Sequence, residues 1–151
     1  MPSKIVAPWI EVADIVLDSS VVVATLDASD VFARRANELC RELREQGHSF
    51  LYLDFLLAEV VAVLGRRAEG NIPVLGAGLG QIRQWARDGE ISFLEQRELI
   101  FDDAMGVVLE TAGRLSFNDA ALVVLQREGA IGDVASFDTG FDTVPGFRRV
   151  R

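Results

Sequence analysis

The sequence contains little of the chemistry on which many hydrolases depend. Among its 151 residues, His48 is the only histidine and Cys40 the only cysteine. One histidine cannot provide the paired acid and base of a two-histidine ribonuclease. One cysteine and one histidine cannot complete the usual ligands of a structural zinc site. A Ser-His-Asp triad would need His48, which follows Gly47 and has no nucleophile-elbow sequence near any serine, so we expect a loop or surface residue there.

Disulfides and long apolar segments are also missing. A lone cysteine excludes an internal disulfide and fits a reducing compartment, and we expect Cys40 to be a small core residue. No window of about 18 residues is apolar enough for a membrane span. Glu11 and Asp14 interrupt the apolar N-terminus, where a signal peptide would lie. We therefore predict a cytoplasmic protein with no membrane association.

Positive charge is scarce as well. Lys4 is the only lysine, and the formal net charge is -8 with a pI near 4.6. Such a surface repels a phosphate backbone on average, so a nucleic-acid partner would require a local basic patch or metal ions. Adjacent arginines such as Arg66 and Arg67 are candidate phosphate contacts, although a solvated helix face is the commoner explanation.

What the sequence does contain is the pattern of one α/β domain. Half of its residues are hydrophobic, which suffices for a single core at this length. We assign residues 1–14 to an N-terminal leader and residues 15–151 to the domain. Short apolar runs and longer periodic segments follow the order strand, helix, helix three times, and a strand ends the series. This order predicts a central parallel sheet with helices on both faces, a three-layer sandwich.

The boundaries of these elements follow from turn and cap residues. The predicted strands are Ile15–Leu17, Phe50–Leu53, residues 91–94 and residues 131–135. The first predicted helix begins near Ser19 or Ser20, the second is capped by Ser29-Asp30 and runs to about Gln46, and the third has its N-cap at Asp54. The remaining helices cover 73–87 and 99–112 and begin near Ser116. Three glycines weaken the helix predicted over 73–87. Ser116 and Asp119 have the spacing of a capping box.

Carboxylates occupy the positions at which α/β proteins usually build sites. Asp18 and Asp138 follow predicted strands, Asp119 lies at a helix start, and Glu59 is a lone charge in an apolar helix that we expect to be buried on most sides. Each also has an ordinary explanation as a cap, a turn residue, or a glutamate that is exposed or paired with arginine. If the four converge, their repulsion calls for a cation, and oxygen-only ligands suit Mg²⁺ or Mn²⁺.

Two other phosphate chemistries place an aspartate after the first strand of such a sheet, those of receiver domains and of haloacid-dehalogenase-type phosphatases. Asp18 is followed by Ser19-Ser20-Val21, without the second aspartate that the phosphatase motif has two residues later. No lysine lies near the later strands, where a receiver domain carries one. Both resemblances therefore fail beyond the first aspartate.

Four segments, taken together, resemble the acidic motifs of the PIN-domain family. They are Ile-Val-Leu-Asp18-Ser-Ser-Val-Val-Val-Ala, Leu57-Ala-Glu59-Val-Val-Ala-Val-Leu64, Leu115-Ser-Phe-Asn-Asp119-Ala and Ala135-Ser-Phe-Asp138-Thr-Gly-Phe-Asp142. The segment Val144-Pro-Gly-Phe-Arg-Arg-Val150 is similar to the family's last turn and edge strand. The resemblance covers most of the chain from Ile15 onward.

This resemblance implies a PIN-like sandwich and a Mg²⁺- or Mn²⁺-dependent endoribonuclease, most similar to a VapC-type toxin of a type II toxin-antitoxin pair. It implies that the catalytic and metal-binding residues are Asp18, Glu59, Asp119 and Asp138, with auxiliary roles for Asp142, Ser20 and Ser116. The implied partners are an RNA substrate, a cognate antitoxin and a second copy in a homodimer. The alternative is a non-catalytic PIN-like binding or scaffold protein, which the acidic charge and the lack of an extended basic stretch favour.

Overall fold

The computed structural model describes residues 14–95 and 97–151. The strands in this part of the chain are β1 (Ile15–Leu17), β2 (Phe50–Leu53), β3 (Ile91–Ser92), β4 (Val134–Ala135) and β5 (Arg149–Val150). The α-helices are α1 (Ser19–Leu26), α2 (Ala33–Glu45), α3 (Asp54–Ala68), α4 (Ile72–Arg87), α5 (Glu98–Glu110) and α6 (Phe117–Arg127), and a 3-10 helix covers Thr139–Thr143. The predicted leader lies outside the described residues, apart from Asp14.

The strands form one sheet in the order β3-β2-β1-β4-β5, and every neighbouring pair is parallel. The central strand is β1, where Val16 lies opposite Leu51 of β2 and Val134 of β4. Because parallel strands end at the same edge, the residue after β1 lies in the middle of the carboxyl edge of the sheet. That residue is Asp18.

Two separate cores cover the two faces of the sheet. Successive residues of β1 point to opposite faces, as a pleated strand requires. Val16 packs in a core with α5 and α6, whereas Ile15 and Leu17 pack in a second core with α1 and α2. Helix α3 contributes to both cores, and α4 packs on the outside of the second one. The predicted three-layer sandwich with a parallel central sheet is therefore confirmed.

The predicted order of strands and helices is also confirmed, and the differences concern element ends. Helix α2 begins at Ala33 because the loop before it is held by local bonds: Asp27 accepts from Ser29 and Asp30 from the Phe32 N–H. Strands β3 and β4 have two residues each and are shorter than predicted. The C-terminal segment forms edge strand β5, as the resemblance implied.

The predicted N-cap at Asp54 is wrong. Leu53 occupies the N-cap position of α3 without a side-chain cap, and Asp54 is the first residue of the helix. Its carboxylate instead accepts from the Leu94 N–H at 2.9 Å and pairs with Arg97. Asp54 therefore holds the segment after β3 against the start of α3.

Other features of the chain agree with expectation. Cys40 is buried in the second core, and His48 lies in the loop before β2. Helix α4 forms despite its three glycines, and Asn71 caps it by accepting from the Val74 N–H. Within residues 14–95 and 97–151, no helix has the length and apolar character needed to cross a bilayer.

Candidate active site

The four predicted carboxylates lie around the carboxyl edge of the sheet. Asp18 follows β1, and Asp138 follows the neighbouring strand β4 by three residues. The Asp18 N–H donates to the Ala135 carbonyl at 3.0 Å, so these two strand ends are directly joined. Asp119 lies in the first turn of α6 and Glu59 in the second turn of α3.

Asp18 is the most deeply buried of the four, with 1% of its surface exposed. One carboxylate oxygen, Oδ2, accepts hydrogen bonds from Ser136 Oγ at 2.6 Å and from Ser20 Oγ at 3.2 Å. The other, Oδ1, is buried and has no hydrogen-bond partner among the described residues. Burial raises the pKa of Asp18 to about 6, and the hydroxyl hydrogen bonds from Ser136 and Ser20 oppose this rise.

This geometry rules out the ordinary explanation of Asp18 as a helix cap. Asp18 occupies the N-cap position of α1, but its side chain makes no cap hydrogen bond. An N-cap aspartate stabilises a helix because its side-chain oxygen accepts from an N–H of the first turn. Burying a carboxylate oxygen without a hydrogen-bond donor destabilises the fold, and no helix-cap hydrogen bond of Asp18 offsets this cost.

Asp119 combines a structural contact with an electrostatic one. Its N–H donates to Ser116 Oγ at 3.2 Å and the Ser116 N–H donates to Asp119 Oδ2 at 3.4 Å, which confirms the predicted capping box. Burial is the main reason why the pKa of Asp119 rises to about 7, and repulsion from Asp18, Asp138 and Glu59 adds to it. Asp119 therefore interacts electrostatically with each of the other three predicted carboxylates, and Asp18 interacts with Glu59 as well.

The expectation that Glu59 is buried in an enclosed helix is wrong. Glu59 is partly exposed, and Val61 on the same helix has 40% of its surface exposed. Helix α3 buries only the side that faces the two cores. Its other side stays partly exposed because no neighbouring element in the described part of the chain covers it fully, although it also carries apolar residues. Glu59 Oε2 accepts from Asn118 Nδ2 at 3.4 Å, so its contact lies on α6, beside Asp119.

Asp138 is the N-cap residue of the 3-10 helix. Its Oδ1 accepts from the Gly140 N–H at 2.8 Å, which is the turn contact that Asp-Thr-Gly predicts. A Cβ at position 140 would lie 2.9 Å from Asp138 Oδ1 and 3.1 Å from Leu115, so only glycine fits this turn. The Asp138 N–H donates to Ser136 Oγ at 3.0 Å, and this bond ties the turn to the strand end.

The three residues with predicted auxiliary roles lie in different settings. Ser20 accepts from the Phe137 N–H at 3.1 Å and contacts Asp18, so it joins α1 to the turn after β4. Ser116 forms the capping box of α6. Asp142 is held by Arg149, whose Nη2 lies 2.7 and 2.8 Å from the two carboxylate oxygens. This ion pair gives Asp142 a partner outside the group of four carboxylates.

Ser136 is the residue that our prediction missed. Its hydroxyl donates to Asp18 and accepts from the Asp138 N–H, and it has no exposed surface. A second missed contact is Asn118, which donates to Glu59. Both residues stand inside motifs that we identified, one and two positions away from the acidic residues. The sequence signal was therefore present, but only the fold shows which polar neighbours face inward.

The chemistry of the four carboxylates suits a metal ion. Asp18 Oδ1 is a buried oxygen to which no described residue donates, and a cation would relieve the repulsion that contributes to the raised pKa of Asp119. All four candidates offer oxygen only, as Mg²⁺ and Mn²⁺ prefer. In the described part of the chain, no three His, Cys, Asp or Glu side chains form a ready-made ligand group for one ion. The residues therefore fit a cation by chemistry and burial, with no preassembled cage.

These observations define a class of protein. A parallel sheet in the order β3-β2-β1-β4-β5, covered by helices on both faces and carrying carboxylates around its carboxyl edge, has the architecture of a PIN domain. Comparison with solved structures agrees with this assignment. The chain resembles the crystal structure of Mycobacterium tuberculosis VapC20, a sarcin-ricin loop cleaving toxin, with a TM-score of 0.69 and 21% sequence identity. The match covers 91% of this chain and 99% of the other.

The protein therefore has a VapC-like PIN fold. Sequence comparisons add nothing to this assignment, since no protein-family model and no curated protein matches the chain.

Proposed function

We propose that this protein is a Mg²⁺- or Mn²⁺-dependent endoribonuclease, the toxin of a type II toxin-antitoxin pair. The observation that carries the proposal is the environment of Asp18 and Asp119, two buried carboxylates with raised pKa values and two further carboxylates in electrostatic range. Perturbed carboxyl groups at the carboxyl edge of a parallel sheet are typical of a catalytic site. The fold that the chain shares with an RNA-cleaving toxin supports the same chemistry.

In this proposal Asp18, Glu59, Asp119 and Asp138 hold the metal. A bound Mg²⁺ or Mn²⁺ ion supplies an activated water and neutralises charge on the phosphoryl group. The remaining work is done by the chain itself. Ser136 and Ser20 fix Asp18 Oδ2, which leaves Oδ1 for a ligand. The capping box fixes Asp119, and Asn118 orients Glu59.

The test is cleavage of structured and single-stranded RNA by the purified protein. We expect cleavage with Mg²⁺ or Mn²⁺, no cleavage with EDTA, and a loss of at least 100-fold in Asp18→Asn and Asp119→Asn, since each removes a charged ligand. Asp102→Asn on α5 is the matched control, because it removes one exposed carboxylate that belongs to none of the four motifs. Cleavage that survives both EDTA and the substitutions would defeat the proposal.

The same assay distinguishes this proposal from the alternative of a non-catalytic binding or scaffold protein. That alternative predicts that no RNA is cleaved and that Mn²⁺ binds no more tightly to the wild-type protein than to Asp119→Asn. Isothermal titration with Mn²⁺ supplies the second measurement. A cognate antitoxin would be encoded by a small adjacent reading frame. Its protein product should copurify with this chain and inhibit cleavage.

We also propose that the chain forms a homodimer through the outer side of α5. Phe101, Met105 and Leu109 lie at intervals of four residues on this helix, and 56%, 51% and 81% of their surfaces are exposed. Phe117 of α6 contacts Phe101, with ring centroids 5.3 Å apart, and extends this apolar stripe. Contiguous exposed apolar surface of this kind marks an interface. Light scattering should give the mass of a dimer for the wild type and of a monomer for Leu109→Glu.

A further inference from the structure

An exposed aromatic ring lies beside the candidate active site. Phe32, in the loop between α1 and α2, stacks on Phe137 with ring centroids 4.7 Å apart and an angle of 17° between the rings. Phe137 stands between Ser136 and Asp138, the two residues that follow β4 and join it to the site. Although one side of the Phe32 ring is covered in this way, 45% of the residue remains exposed.

Two backbone hydrogen bonds fix the position of the Phe32 and Phe137 rings. The Phe137 N–H donates to Ser20 Oγ, the same hydroxyl that contacts Asp18. The Phe32 N–H donates to Asp30 Oδ1 at 2.8 Å, which holds the backbone of the loop. The ring pair is therefore connected to the Asp18 carboxylate through hydrogen bonds and is placed before any ligand arrives.

The negative charge of the loop around Phe32 is offset. Arg67 of α3 lies 2.8 Å from Asp27 and 2.7 Å from Asp30, and its Nη1 makes both ion pairs. Two carboxylates next to an RNA-binding surface would repel phosphate, whereas a carboxylate paired with arginine repels it less. Nearly half of the Arg67 side chain is exposed, so its positive charge also faces solvent beside the loop.

We propose that Phe32 is a stacking platform for an unpaired base of the RNA substrate. This inference rests on the proposed ribonuclease activity and assigns one residue of this chain to hold the nucleotide that is unstacked next to the cleaved bond. Proteins that recognise RNA loops stack splayed bases on aromatic rings, because every base has a flat face. A metal ion at Asp18 and Asp138 would hold the phosphate, because carboxylates alone repel it. The turn that carries Asp138 also carries Phe137, the ring on which Phe32 stacks, so a base next to that phosphate would lie on the side of the site where Phe32 is exposed.

The experiment compares Phe32→Leu with Phe32→Tyr in cleavage of an RNA hairpin that has an unpaired loop. Leucine keeps an apolar contact with Phe137 but has no ring, so we expect kcat/KM to fall about 5- to 100-fold, mainly through KM. Tyrosine keeps the ring and should retain activity. Val31→Ala is the matched control: Val31 is the exposed apolar neighbour in the same loop. Thermal unfolding checks that all variants fold.

A coupled measurement identifies the base. An abasic nucleotide is placed at each loop position in turn, and the cleavage rates of the wild type and of Phe32→Leu are compared. At one position the abasic nucleotide should slow cleavage by the wild type as much as Phe32→Leu slows cleavage of the intact RNA. At that position it should not slow cleavage by Phe32→Leu any further. Equal cleavage by wild type and Phe32→Leu on every RNA would overturn the platform and leave the ribonuclease proposal standing. If the wild type cleaves no RNA, quenching of 2-aminopurine in the same hairpin decides: quenching that depends on Phe32 supports the platform, and its absence overturns it.

Discussion

Replacing Asp119 with asparagine is expected to make the metal-free protein more stable at pH 8. Asp119 has a pKa of about 7 in the fold, against an ordinary value of 3.8, because it is buried among other carboxylates. An acid whose pKa is raised by folding binds more protons in the folded state. Its contribution to stability is therefore fully present below pH 3.8 and is lost as the pH rises to about 7.

The size of this effect follows from the displacement of the pKa. Each unit corresponds to about 1.4 kcal/mol, so Asp119 destabilises the fold relative to acid conditions by about 4 kcal/mol at pH 8, where it is ionised in the fold. At pH 5 the fold must keep Asp119 protonated while the unfolded chain ionises it, which costs about 2 kcal/mol. Asparagine has nearly the same shape and still accepts from the Ser116 N–H, so it should recover most of this cost. Because Asp18 also titrates in this range and repels Asp119, the effects of the two substitutions should not add.

Urea unfolding at pH 5, 6, 7 and 8 in the presence of EDTA measures this prediction. The free energy of unfolding of the wild type should fall with pH, and that of Asp119→Asn should fall much less. Asp102→Asn controls for the change in net charge. Mn²⁺ should stabilise the wild type at pH 8 and have little effect on Asp119→Asn, since the ion binds only the folded site.

Two outcomes would refute the reasoning. If the wild type without metal is as stable at pH 8 as at pH 5, Asp119 ionises in the fold without penalty. If Asp119→Asn and Asp102→Asn show the same pH dependence, the loss of stability comes from overall charge and not from the site.

Three further substitutions test side-chain contacts of the site and of the fold that supports it. Ser136→Ala should lower unfolding free energy by about 1 to 3 kcal/mol and slow cleavage at least tenfold, because it removes a donor to Asp18; urea unfolding and cleavage rates measure this. Gln126→Met should lower the free energy of unfolding in urea by about 2 to 4 kcal/mol, since the buried Gln126 amide forms hydrogen bonds with three backbone groups. Arg149→Lys should lower the melting temperature by a few degrees, because lysine cannot hold both Asp142 oxygens and the Ser136 carbonyl.

Features that depend on neighbouring residues in the chain could be predicted. The order of strands and helices follows from the period of apolar residues, which is a local property. The capping box of α6 depends on Ser116 and Asp119 only, and the turn at Asp138 depends on Gly140. The parallel sheet follows from the alternation of strands with helices, because such connections leave little choice of topology.

Features that depend on docking could not be predicted. The burial of α3 was overestimated because the sequence shows which residues are apolar and not how much of the helix its neighbours cover. Asp54 resembled a cap but bonds to Leu94 and Arg97, which approach only when β3 lies beside β2. Asp142 meets Arg149 for the same reason, since the turn and edge strand β5 fold back on each other.

The sequence by itself determined the class of fold, the acidic residues available for chemistry, and the absence of the histidine and cysteine chemistry that would compete with them. Only the tertiary structure decided that Asp18 Oδ1 is buried with no donor among residues 14–95 and 97–151, that Ser136 holds the other oxygen, and that Phe32 lies beside the site. The physical reason is that the pKa and hydrogen-bond partners of a carboxylate depend on what surrounds it. At Asp18 those surroundings come from β1, α1 and the turn after β4, which are distant in the chain.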